Sequence, residues 1–184
     1  VDFFNQHIEA AVQLDCDHMV VSTGFAYLDV DAEDAFGWCA EAMGRIARKA
    51  EQEGVTLAVE PFTKYTTHIC NEASQLRRLL RTVNSPRLTG LADTDVIATT
   101  AVDTFSTFLD VIGPENLGHV HFVDGNPGGH LVPGDGVLDL DGALEKLKAI
   151  HYTGALGLEV LDRRYVFAPE AAMKQAMDWY KERI

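Results

Sequence analysis

A rhythm constrains this chain more than any single residue does. Short apolar runs rich in β-formers recur at intervals of roughly thirty to forty residues, each followed by a helical stretch, which is the pattern of repeated βαβ units. The expected strands are residues 18–23, 55–60, 88–93, 118–123 and 155–160. Helical spacing is expected over 3–14, 34–53, 71–82, 102–112, 140–150 and 169–182, with Gly54 closing the second helix and Asn71 capping the third. Because the strands are almost uninterrupted apolar runs, both faces of the sheet should be covered, as in parallel α/β folds. Two architectures fit this order: a doubly wound sheet, or part of a (β/α)₈ barrel. Neither GxGxxG nor GxxxxGK[ST] follows any strand, so a dinucleotide or P-loop site has no support. Phe36, Trp38 and Met43 read as core positions of the second helix.

At 184 residues and 47% hydrophobic, the chain has the makings of one domain, 1–184. Fifteen basic residues stand against 28 acidic ones, a formal charge of −13 that repels polyanions and excludes a nucleic-acid partner. No apolar run approaches the roughly 20 residues that a membrane helix needs. The three cysteines, Cys16, Cys39 and Cys70, show no CxxC spacing, so neither a disulfide framework nor a thiolate zinc site is expected, and the expected setting is a reducing, cytoplasmic one.

Four of the strands finish on or near a side chain able to ligate a metal: Glu60, Asp93, His121 and Glu159. In parallel α/β folds, ligands and catalytic groups gather at this C-terminal edge of the sheet. Carboxylates ending apolar strands are costly to bury unless they are paired, hydrogen-bonded or metal-bound. Three oxygens and one imidazole make a mixed donor set suited to Mn²⁺, Mg²⁺, Co²⁺ or Zn²⁺, with positions left for substrate oxygens. His119 lies on the same side of its strand as His121, one layer deeper, as a core or supporting histidine. Asp124 is placed to steady an imidazole or to sit in an exposed loop. His68 follows the Glu60 strand closely enough to reach a ligand there. His130 lies in a loop, residues 124–138, with five glycines and two prolines, long enough to cover a pocket.

These residues together resemble a known family. Glu60-Pro61 at a strand end, Asp93, the His119-x-His121 pair, Pro133-Gly134-Asp135-Gly136, and Gly154 five residues before Glu159 are similar to the xylose-isomerase-like TIM barrels. Within them the ketose 3-epimerases of the tagatose/psicose and fructoselysine type are the nearest match. The stretch 57–65, Cys70-Asn71 and Ser85-Pro86-Arg87-Leu88 look most like the fructoselysine branch.

The resemblance implies an α/β fold, a (β/α)₈ TIM barrel present as about its last five β/α units, with Val1 already inside a helix. It implies a cytoplasmic isomerase that epimerises a ketose, free, phosphorylated or conjugated, at C3 through a metal-stabilised enediolate. Glu60, Asp93, His121 and Glu159 would hold the divalent ion, and Glu60 and Glu159 would also move the proton. His68, Asn71, His119 and His130 would bind the sugar. Homo-oligomers are common in the family. An aldose–ketose isomerase on the same metal site, or an inert partial barrel, are the competing expectations. Three family positions that grip substrate hold Thr66, Val96 and Pro127 here, which leaves the identity of the sugar open.

Overall fold

The computed structural model describes residues 1–27 and 29–183. Five parallel strands run in sequence order across one sheet: β1 (His18–Ser22), β2 (Thr56–Glu60), β3 (Leu88–Asp93), β4 (Leu117–His121) and β5 (Leu156–Gly157). They form half of a barrel, as expected of five consecutive β/α units. The helices are α1 (Asp2–Gln13), α2 (Ala32–Glu53), α3 (Ala73–Val83), α4 (Thr94–Thr100), α5 (Phe105–Ile112), α6 (Leu140–Ala149) and α7 (Pro169–Lys181).

Local chemistry sets most of these boundaries. Asp31 begins α2 by accepting from the amides of Glu33 and Asp34, and Gly54 ends it in the left-handed region at φ 76°. Helix α3 and its cap fall one residue later than expected. Glu72 is its cap, Gln75 Oε1 accepts from the amides of Asn71 and Glu72, and the Asn71 side chain is used elsewhere. The expected helix over 102–112 begins three residues later, as α5 with Thr104 for its cap, and it is preceded by an unexpected helix, α4, whose C-cap is Ala101 in the left-handed region. Strand β5 shrinks to two residues, because the chain leaves the sheet at Leu158.

One face of the sheet packs against the helices. Val21, Leu57, Val59, Ala92 and Val120 join Ile8, Met43, Ile46, Leu76, Leu79, Phe108 and Leu109 in a continuous buried cluster. Burying such a side chain stabilises the fold by about 1.5–3 kcal/mol. Phe36 and Met43 belong to this core as expected, whereas Trp38 is 60% exposed, since it lies outside the stripe that faces the sheet. Strand alternation then fixes the other face: the neighbours of Val59, Ala92 and Val120, namely Glu60, Asp93 and His121, project to the inside of the half-barrel. Register places Asp93 beside His121, and His121 beside Gly157, in one layer.

Candidate metal centre

Glu60, Asp93 and His121 are the last residues of β2, β3 and β4, and Glu159 follows β5 by two residues. One ligand atom from each of these four lies within 4.8 Å of every other. His121 Nδ1 is the hub, 3.1 Å from Glu60 Oε1, 3.2 Å from Glu159 Oε2 and 3.6 Å from Asp93 Oδ2. Three carboxylates face a single ring nitrogen, which can donate one hydrogen bond at most.

Asp93 shows why a cation suits this place. Its Oδ1 caps α4, accepting from the amides of Asp95 at 2.8 Å and Val96 at 2.7 Å. Its Oδ2 points into the cluster, is buried and has no hydrogen-bond partner. An orphaned carboxylate oxygen next to two more carboxylates and an imidazole is a costly arrangement by itself, and a divalent ion satisfies all four groups at once. The donor set therefore fits a metal.

The electrostatics follow from this crowding. Burial pushes the Glu60 carboxyl above its usual range, and the neighbouring Asp93 and Glu159 add to the rise. Hydrogen bonds from His121 and His130 hold Glu159 down at about 2. Burial works against the charged form of His121, but Asp93, Glu159 and Glu60 outweigh it and raise the imidazole to about 11.

The remaining expected residues are distributed unevenly. His130 reaches the cluster, with Nε2 3.3 Å from Asp93 Oδ2 and 3.5 Å from Glu159 Oε2. His119 sits below it, edge-on to the His121 ring at 5.3 Å, and burial depresses its pKa. His68 has a buried Nε2 without a hydrogen-bond partner. Asn71 directs its amide N–H groups to the carbonyls of Phe62 and Thr67 at 2.7 and 2.8 Å, folding the segment after β2.

Asp124 is neither an imidazole's support nor a solvated loop acid. It is buried, and it accepts from the amides of Gly125, Gly134, Gly136 and Leu138 at 2.8–3.0 Å, gathering the glycine-rich loop around one carboxylate. Gly136 has no room for a Cβ, which would collide with Asp124 and Gly125. Sequence reasoning passed over Asp95, which is 1% exposed and pairs with His130. The signal available was an acidic residue two positions after Asp93, inside an otherwise apolar turn.

A parallel half-barrel with polar side chains converging at its C-terminal edge has the architecture of a TIM barrel, in which sites gather at that edge. The chain is a member of the xylose isomerase-like TIM barrel family, whose model matches residues 1–183. It is 26% identical over 183 residues to fructoselysine 3-epimerase of Shigella flexneri, an alignment that takes in 98% of this chain and 65% of the relative. The chain thus spans slightly less than two thirds of that protein. A ketose 3-epimerase of Arthrobacter globiformis is 30% identical over 118 residues, 64% of this chain and 39% of its own length. Among solved structures, a D-psicose 3-epimerase with D-tagatose from Clostridium cellulolyticum H10 superposes with a TM-score of 0.86 at 18% identity. That match covers 99% of this chain and 69% of the other, and bears on the fold alone.

Proposed function

We propose that the protein is a divalent-metal-dependent isomerase that epimerises a ketose at C3. The convergence of Glu60, Asp93, His121 and Glu159 carries this reading, and the likeness to 3-epimerases over 98% of the chain supports it. These four side chains would hold the ion, which supplies Lewis-acid polarisation of the sugar's carbonyl and adjacent hydroxyl when bound. Mn²⁺, Mg²⁺, Co²⁺ and Zn²⁺ all suit this donor set.

Inverting a carbon next to a carbonyl needs a base on one side of the sugar and an acid on the other. Glu60 and Glu159 come from β2 and from beyond β5, the outermost of the four contributing segments in the sheet order, so each would approach a sugar held at the cluster from its own side. One removes the C3 proton, and the other delivers a proton to the opposite face. His130, beside Glu159, and His68, with its unpartnered nitrogen, would bind the sugar's hydroxyls. Three free thiols accord with a reducing, cytoplasmic location.

The test is hydrogen exchange at C3 of D-fructose in D₂O with Mn²⁺ present. The wild-type chain is expected to exchange it, and Glu60→Gln and Glu159→Gln each to lose at least about 10²-fold. Full exchange in both variants overturns the mechanism. Exchange at C1 in place of C3 marks an aldose–ketose isomerase instead.

A further inference from the structure

We propose that Asp95 is a positioning residue of the site: through His130 it holds a second imidazole at the rim of the cluster, with Nε2 directed to a hydroxyl or carbonyl oxygen of the bound sugar. The proposal rests on the reading of Glu60, Asp93, His121 and Glu159 as a sugar-binding metal centre.

The backbone before the imidazole is bent in an uncommon way. Gly128, Gly129 and His130 follow one another with φ of 95°, 113° and 48°. Glycine adopts this region freely, but histidine does so at a cost, and the surroundings must hold it there. Asp95 does the holding. Its Oδ1 accepts from the Gly128 amide at 2.5 Å, and its Oδ2 accepts from the His130 amide at 3.0 Å. The same Oδ2 is 2.9 Å from His130 Nδ1. One buried carboxylate therefore fixes both the turn and the ring. With Nδ1–H engaged on that side, Nε2 is turned toward Asp93 and Glu159.

Two further contacts serve this arrangement. A side chain at Gly125 would overlap the Asp95 carboxylate, so glycine is what lets the loop pass over it. The carbonyl of His130 accepts from the Leu161 amide at 3.1 Å, tying the loop to the segment that carries Glu159. Anchoring alone does not call for the imidazole: Asp124 secures the other half of the same loop using main-chain amides only. The ring of His130 lies next to the four-residue ligand set without being part of it. Its Nε2, facing Asp93 and Glu159 at 3.3 and 3.5 Å, stands at the rim where a ligand oxygen would arrive.

The test uses the whole chain with ¹⁵N-labelled histidine, loaded with Zn²⁺ as a diamagnetic probe. In the wild type the His130 Nδ1–H proton is expected as a low-field signal protected from solvent, and it should be lost in Asp95→Asn and regained in part in Asp95→Glu. D-fructose should shift the Nε2 resonance, with an affinity about tenfold weaker in Asp95→Asn and His130→Gln. Zn²⁺ affinity should stay within about threefold of wild type in both, because neither residue is a ligand. A freely exchanging Nδ1–H, an Nε2 resonance indifferent to D-fructose in the Zn²⁺-loaded chain, or a His130→Gln variant that loses Zn²⁺ would each overturn the proposal. Failure of the wild type to bind Zn²⁺ would instead remove the metal centre itself, and the Nδ1–H signal would still decide the role of Asp95.

Discussion

Asp93 divides its two oxygens between folding and chemistry: one starts a helix, the other faces the cluster with no partner of its own. Such a residue is legible in sequence because an acid ending an apolar strand has few inexpensive fates, and three acids with a histidine in successive units have fewer still. The cysteines divide by burial. Burial raises the Cys39 thiol to about 11 and pushes Cys70 higher, while Cys16 is exposed. Near pH 8 only about one Cys39 in a thousand is then a thiolate, and the fraction grows only as pH climbs toward 11. Cys16 alone should react promptly with a disulfide reagent in the folded chain, and all three after unfolding. Prompt modification of a second thiol would contradict this burial. What sequence could not show was partnership across loops. Asp124 and Asp95 look like ordinary loop or helix acids until the backbone amides that they bind are brought to them by tertiary folding.

Helix α4 is the element hardest to read from the sequence. Its residues are β-branched for the most part and poor helix formers, yet five of the seven are buried, and the Asp93 cap with tertiary packing decides their conformation. Strand β4 is the opposite case, since its His-x-His alternation specified at once which side chains share a face. That inner face is tight where β4 meets β5. A Cβ at Gly157 would lie 2.9 Å from His119 Nε2 and 3.2 Å from the His121 ring. Gly157→Ala is therefore expected to cost about 1–3 kcal/mol in urea unfolding. Because the crowding reaches His121, one of the proposed ligands, it should also weaken Mn²⁺ binding by about tenfold in a titration. Unchanged Mn²⁺ affinity in a destabilised variant would separate the layer below from the cluster above it.

At the scale of the molecule, a half-barrel has margins that a closed barrel lacks. Among the described residues, β1 and β5 each pair on one side only, and Val20 on β1 is 42% exposed. Parallel edges with apolar neighbours invite pairing with another chain. Sedimentation velocity across roughly the micromolar range should show the average mass rising with concentration. A single monomeric species throughout would mean that these margins are covered by the chain itself. The strand sequence and the edge that carries Glu60, Asp93, His121 and Glu159 were readable from periodicity, because they depend on which residues alternate; the barrel itself came from the family resemblance, since a doubly wound sheet has the same rhythm. The extent of closure depends on contacts between distant segments, and periodicity carries no record of those. The loop beneath Asp124 offers a last lesson of this kind. Its anchor grips peptide N–H groups, so what the loop must preserve is count, meaning the number of residues from Gly125 to Leu138. Side chains such as those of Asn126 and Val137 can be exchanged with little penalty, whereas deletion of a single residue would carry the amides past the anion that gathers them.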